Sequence, residues 1–249
     1  MNKQIIEREF KFLATQRSGH HAILEWIFSA FDIPKFKLNY CNQHSGVIGN
    51  GSRKLKFMAH ENTIKCAIFN IENADLSTIN NSKLFNNGFL FYLPYFSIMQ
   101  SDTILVVRDI YNNMASAFAS GFAIGYKEII MERHKKYLRQ LLNLKNYFTN
   151  IKNLHIINFN RWFKDHRYRA KIIGQLDINI DAGQFQMVPK EGHGSSFDGM
   201  GKNGSASEMK VLERYKKYLN NKRYINFFKN DKECVYLNKQ VFEMNPLNL

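Results

Sequence analysis

Apolar and polar positions along this chain fall into blocks whose period changes from block to block. Residues 10–14 (FKFLA) form a short apolar run that stops at the polar stretch TQRSG. From His21 to Phe31 apolar residues then recur at helical spacing, at Ala22, Ile23, Trp26, Ile27 and Ala30. The pattern predicts strand, tight turn, helix. The same order returns at Thr103 to Val107 (TILVV), a wholly apolar run of the kind buried in parallel sheets. RDIYNN and a helix through Ala115, Phe118 and Ala119 follow it. A third strand is expected at Leu154 to Phe159, with shorter candidates at Phe36 to Tyr40, Leu55 to Ala59 and Ala67 to Ile71. Between Ile129 and Phe148, apolar residues at 130, 137, 138, 141, 144 and 148 mark an amphipathic helix. Strands alternating with helices imply an α/β fold with a central parallel sheet flanked by helices. Asn80–Gly88 and Lys190–Ser207 read as loops, the second holding five of the fourteen glycines. From Glu208 onward VLERYKKYL and the basic stretch after it read as one or two surface helices. One domain over residues 1–249, with C-terminal helices from about 205 packed on it, is the expected organisation.

Composition narrows the class. With 249 residues, 45% hydrophobic and 22% charged, the chain is globular in type rather than disordered. Cys41, Cys66 and Cys234 are odd in number and widely spaced, with no CxxC pair, which fits a reducing, cytoplasmic setting. The start, MNKQIIEREF, lacks a signal-peptide pattern, and no stretch reaches the roughly 20 apolar residues that span a bilayer. A formal net charge of +14 implies an anionic partner: nucleic acid, a phosphorylated nucleotide, an acidic glycan or a lipid surface. Part of that excess reflects the general richness in Lys, Asn and Ile, so specific anion sites have to be found locally.

TQRSGHH stands where one is expected, at the carboxyl end of a strand and the N-terminus of a helix. Gly19 permits close backbone approach, Arg17 can fork onto phosphate or sulfate oxygens, and Thr15 and Ser18 add hydroxyls. The alternative is a helix start merely capped by Ser18 or Thr15. The segment is not the GxxxxGK[ST] loop, since no lysine follows Gly19 and no hydroxyl residue occupies the magnesium-binding position. At the second strand end Arg108 follows TILVV, and Ser116 lies eight residues on, about two helical turns. Both can face one anion, although an Arg108–Asp109 structural ion pair is the competing reading.

These segments together resemble the P-loop-like sulfotransferases that use 3'-phosphoadenosine 5'-phosphosulfate, nearer to bacterial glycan-type members. The family's first motif, TYPKSGTTW or TQRSGTT, is matched by ATQRSGHHAILEW at residues 14–26, and TILVVRDIYNNMAS matches the second motif, an arginine followed by a serine eight residues on. NFNRWFKD at 158–165 resembles a third strand end, and GSSFDGMGKN at 194–203 resembles the glycine-rich closing loop. The resemblance implies a single-domain, three-layer P-loop-like fold and transfer of a sulfuryl group to an acceptor hydroxyl, on a carbohydrate or glycolipid. It implies that Thr15, Gln16, Arg17, Ser18, Gly19, His20 and His21 bind the 5'-phosphosulfate, with Arg17 also catalytic. Arg108, Ser116, Gly194, Ser195, Ser196 and Lys202 would bind the 3'-phosphate side, and Phe159 would lie near the adenine. Ser195 and Ser196 stand where the family has a charged pair, and His20 and His21 where it has threonines. His60 or Glu61, in LKFMAHEN, is the implied base.

Other chemistries have weaker footing. His21 and Glu25 lie one turn apart, but no third metal ligand is evident, so no metal is expected. A P-loop kinase lacks its lysine. A nucleic-acid-binding protein fits the charge, yet no helix-turn-helix, zinc finger or RNP motif is present and the basic residues are dispersed. Trp26 and Tyr137 read as core.

Overall fold

The apolar run at 10–14 is the carboxyl half of a longer central strand, β1, Gln4–Ala14. The computed structural model describes residues 4–31, 35–43, 46–49, 63–73, 96–143, 153–183, 188, 195 and 197–248. After β1 come α1 (His20–Phe28), β2 (Lys35–Gln43), β3 (Gly46–Gly49), β4 (Thr63–Glu72) and β5 (Phe96–Val107). Then follow α2 (Ile110–Ala119), α3 (Ile124–Leu142), β6 (Leu154–Asn158), α4 (Phe159–Lys164) and α5 (His166–Leu176). Short 3-10 turns at Ala206–Glu208 and Arg214–Tyr218 precede α6 (Lys222–Lys229) and α7 (Lys232–Phe242). The strands form one sheet in the order β3-β2-β4-β1-β5-β6. All neighbours pair in parallel except β3, which runs antiparallel to β2 at the edge.

Strand alternation sends side chains to opposite faces, and both faces are covered. Phe10, Phe12 and Ala14 of β1 pack with Ile23, Leu24 and Ile27 of α1, Trp162 of α4 and Ile172 of α5. Leu13, Leu105 and Val107 point the other way, onto Tyr137 and Leu138 of α3 and Leu237 of α7. The α/β sandwich expected from the alternation of elements is therefore present. A third apolar cluster joins α2, α3, α6 and α7 through Met114, Ile130, Tyr224 and Val235, which packs the C-terminal helices onto the sheet domain.

Several boundaries differ from the sequence reading. β1 and β5 begin well before their apolar runs, since Gln4 already pairs with Phe96 and each extra residue gains ladder bonds. β6 ends at Asn158, not Phe159, because the Asn158 side chain accepts from the Arg161 N–H and caps α4. VLERYKKYL forms a 3-10 turn rather than an α-helix. Spacing of three brings Tyr215 and Tyr218 to one side, where both pack on the α2–α6 cluster. The candidate strand at Leu55 to Ala59 and the loop at Asn80 to Gly88 lie outside the described residues, as does the end of the helix expected through Phe148.

The polar start of β1 is held by one buried network. Arg8 Nε donates to Asp102 Oδ2 at 3.0 Å, and the guanidinium also reaches the carbonyls of Leu176 and Asp177 at the end of α5. The His155 ring nitrogen Nε2 lies 3.0 Å from Asp102 Oδ1. Burial pushes the Asp102 carboxyl up, but the His155 hydrogen bond and the Arg8 charge outweigh it and hold the group below its ordinary value. A depressed carboxyl contributes stability above its unfolded pKa and loses it as the pH falls through the folded value. Asp102→Asn should therefore destabilise the fold by about 3 kcal/mol at neutral pH. In urea unfolding the gap from wild type should narrow as the pH drops below the ordinary carboxylate range.

Candidate active site

β1 leaves the sheet between β4 and β5, and the turn at residues 15–19 carries it into α1. Two residues of this turn have left-handed backbone, Arg17 at φ 63° and Gly19 at φ 81°. Gly19 is required twice, by that φ and because a Cβ there would meet the Phe159 ring at 2.4 Å. Arg17 has no such freedom, so its conformation carries strain of the kind found at ligand sites. Neighbouring elements hold it in place. The Gln16 N–H donates to Asn73 Oδ1 at 3.0 Å, and Asn113 Nδ2 donates to Thr15 Oγ at 2.8 Å. No side chain caps α1, so its first turn keeps N–H groups available for an anion.

A cavity of about 260 Å³ opens over this turn, lined among others by Gln16, Arg17, His21, Glu72, Arg108, Ser116, Phe159, Ser195 and Arg214. Arg108 is 2% exposed. Its Nη1 donates to the Arg17 carbonyl at 2.9 Å and its Nη2 to the Val211 carbonyl at 2.5 Å, over the face of Phe159. Nε of Arg108 is buried with no hydrogen-bond partner among the described residues. Burial and then the nearby Arg214 charge push the Arg108 guanidinium down to about 9. Asp109 does not pair with it. That carboxylate caps α2 through the Asn112 N–H and accepts from Asn160 Nδ2, so the structural ion pair weighed above is not formed.

Arg214 supplies the second cation. Its Nη1 donates to Ser116 Oγ at 3.1 Å and its Nη2 to Ser195 Oγ at 2.6 Å, with Asp198 Oδ2 at 3.4 Å. Burial lowers its pKa against the pull of Asp198, and the Arg17 charge lowers it further. Arg17 itself stacks on Phe122 at 4.6 Å and is lowered by burial, with Glu72 opposing. Three guanidinium groups therefore line one cavity, Arg214 acting on Arg108 and Arg17 on Arg214, and make this end of it strongly cationic.

The other end of the cavity is different in kind. Glu72, the last residue of β4, places Oε1 3.1 Å from His20 Nε2 and 3.2 Å from His21 Nε2. Burial raises the Glu72 carboxyl, yet the hydrogen bonds of His20 and His21 more than reverse that and hold it well below its usual value. His20 is 1% exposed and lowered chiefly by burial.

Most of the expected residues therefore meet at one place: Gln16, Arg17, Gly19, His20, His21, Arg108, Ser116, Phe159 and Ser195 all line the cavity. Phe159 does so as the first residue of α4, packed on Gly19 and Arg108. Thr15 and Ser18 face protein instead, bonded to Asn113 and His20, and Lys202 pairs with Glu208 away from the cavity lining. His60, Glu61, Gly194 and Ser196 lie outside the described residues. His21 meets Glu72 rather than bonding its helical neighbour Glu25. Arg214 and Glu72 were missed from sequence. Arg214 is hidden in a basic surface run, whereas Glu72 stood directly after a predicted strand, the position at which site residues are expected.

No protein-family model matches the chain, and no curated protein does. Among solved structures, the mouse sulfotransferase SULT7A1 complexed with PAP aligns over 97% of this chain and 88% of its own, at 13% identity and a TM-score of 0.48. A likeness at that level carries no functional argument, and the site geometry has to stand by itself.

Gly19→Ala should destabilise the fold by roughly 1–3 kcal/mol in thermal or urea unfolding, from the positive φ and the displaced Phe159 ring. It should also weaken the binding of inorganic phosphate or sulfate, measured by calorimetry.

Proposed function

We propose that this chain is a sulfotransferase that takes a sulfuryl group from 3'-phosphoadenosine 5'-phosphosulfate and transfers it to an acceptor hydroxyl on a carbohydrate or glycolipid. The observation that carries the reading is the convergence of Arg17, Arg108 and Arg214 with Ser116, Ser195 and the uncapped start of α1 on one cavity. A ligand with two separated anionic groups matches it. The 5'-phosphosulfate would lie along the residue 15–21 turn, and the 3'-phosphate would lie against Arg108, Ser116 and Arg214. In the closing loop Ser195 brings only a hydroxyl where the resemblance expects charge, and Arg214, which donates to that hydroxyl, would supply it.

In such a transfer the acceptor oxygen forms a bond to sulfur and yields its proton to the base, while the bond from sulfur to the bridging oxygen breaks and negative charge builds on that oxygen. Arg17 and the N–H groups of the first turn of α1 would stabilise it without reorganisation. His60 or Glu61 remains the base implied by the resemblance. A carbohydrate acceptor is supported by the cleft beside the end of β4 and α3, lined by Asn73, Tyr126, Glu128, Glu132, Arg133 and Lys136. Its charged side chains could hydrogen-bond hydroxyl groups, while Ala123, Gly125 and Ile129 add apolar surface on which a sugar ring could pack. The buried free thiols of Cys66 and Cys234 fit a reducing compartment, and no helix among the described residues is long and apolar enough to cross a membrane.

Calorimetric titration without magnesium tests the nucleotide reading. Adenosine 3',5'-bisphosphate should bind at least about tenfold more tightly than adenosine 5'-phosphate. Arg214→Ala should weaken the bisphosphate by roughly ten- to a hundredfold while changing the monophosphate little. Equal affinities for the two nucleotides, or an Arg214→Ala loss shared by both, would contradict the assignment.

A further inference from the structure

His20 and His21 are consecutive on α1, and consecutive helical residues ordinarily point about 100° apart. Here both rings turn to the same spot. Their centroids are 4.2 Å apart, and both Nε2 atoms approach the one oxygen Glu72 Oε1, at 3.1 and 3.2 Å. Hydrogen bonding explains each contact taken singly, but it does not satisfy the cluster. His20 Nε2 also lies 3.1 Å from Asn70 Nδ2. A ring nitrogen has one in-plane site: a proton there serves Glu72 and repels the Asn70 amide N–H, whereas a lone pair serves Asn70 and repels Glu72. Asn70 is 1% exposed, and its Oδ1 is buried without a partner among the described residues. Turning the carboxamide over, which exchanges atoms that are hard to tell apart, relieves the contact with His20 but puts the amide nitrogen in the buried position without a partner, so neither orientation satisfies Asn70 among the described residues.

We infer that His20 Nε2, His21 Nε2 and Glu72 Oε1 form a site for one divalent transition-metal ion, zinc being the first choice. The donor set is two imidazoles and a carboxylate, the combination of catalytic zinc sites that keep a position open. Donor atoms on a tetrahedron around zinc stand about 3.3 Å apart, from bond lengths of about 2.0 Å. The two separations from Glu72 Oε1, 3.1 and 3.2 Å, are close to that edge. His20 is already oriented by an outer contact, Ser18 Oγ at 3.0 Å from Nδ1, so the Nδ1–H donates to Ser18 when Nε2 binds the ion. The ion takes the in-plane site of His20 Nε2 and is shared with Glu72 Oε1, in place of the proton that the two would otherwise need between them. Arg17, whose charge Glu72 feels, holds the affinity below that of an all-anionic site. His20, His21 and Glu72 all line the cavity, so the open position faces it, and a water or alcohol bound there becomes more acidic.

The site shares the residue 15–21 turn with the nucleotide reading, but it uses the His20 and His21 ring nitrogens and Glu72 rather than the arginines and backbone N–H groups that would hold the phosphates. The test is calorimetric titration of Zn²⁺ into the full chain stripped with chelator, in phosphate-free buffer, with the metal content of the dialysed protein measured in parallel. One Zn²⁺ should bind with Kd below about 10 µM. Glu72→Gln and His21→Ala should each weaken it at least about tenfold, while His166→Ala, on α5 away from the cavity, leaves it unchanged. Circular dichroism melts separate loss of the site from loss of the fold, and of two folded variants either decides. A wild-type Kd weaker than about 10 µM overturns the inference, as does tight binding that Glu72→Gln and His21→Ala leave intact. Either result would stand whether or not adenosine 3',5'-bisphosphate binds.

Discussion

A guanidinium at 2% exposure, with no ion pair to a carboxylate among the described residues, is the constraint around which the rest of this site is arranged. Arg108 keeps its charge out of water through two backbone carbonyls, those of Arg17 and Val211, and through the face of Phe159. Those contacts tie together three parts of the chain distant in sequence: the turn after β1, the segment before the Arg214 turn, and the start of α4. Removing one acceptor from a buried charge costs far more than the bond itself contributes, so the three segments are held as a unit. The Arg17 carbonyl points at Arg108 in a turn where Arg17 is left-handed, and Gly19 two residues on has the same sense. The geometry of the anion turn and the burial of Arg108 are therefore one constraint.

The sheet makes this arrangement possible. β1 is central and paired in parallel on both sides, so its end, with those of β4 and β5, opens onto the same rim. β4 delivers Glu72, β1 the 15–19 turn, and β5 Arg108, which explains why a cationic and a His–Glu end share one cavity. The Arg8–Asp102 network ties β1 and β5 to each other and to the end of α5, farther from the site along the same strands. Distance along the strands separates the two features: the buried ion network toward the amino end and the candidate site at the carboxyl end.

What could be read in the sequence was whatever depends on local geometry. Strand, turn and helix around TQRSG have a fixed relation, so the placement of Arg17 and Gly19 was legible, as was that of Arg108 and Ser116 two turns apart. Arg214 was not, because a basic residue in LERYKKYL gains its meaning only when the 3-10 turn packs Tyr215 and Tyr218 and so swings the guanidinium over Ser116. Phe159 was read as the end of a strand because apolar residues continue into it, whereas the Asn158 cap decides the boundary. The partner of His21 was sought by helical spacing at Glu25, but the left-handed Gly19 turns the start of α1 so that the ring faces the end of β4. Contacts between elements account for Arg214 and His21, and a local cap accounts for Phe159.

The direct test of the proposed nucleotide site is a crystal structure of the chain with adenosine 3',5'-bisphosphate. The 5'-phosphate should lie on the first-turn N–H groups of α1 beside Arg17, and the 3'-phosphate should lie within hydrogen-bond distance of Arg108 Nε, Ser116 or Arg214. A nucleotide bound elsewhere, or one bound here with its 3'-phosphate in solvent, would contradict the account.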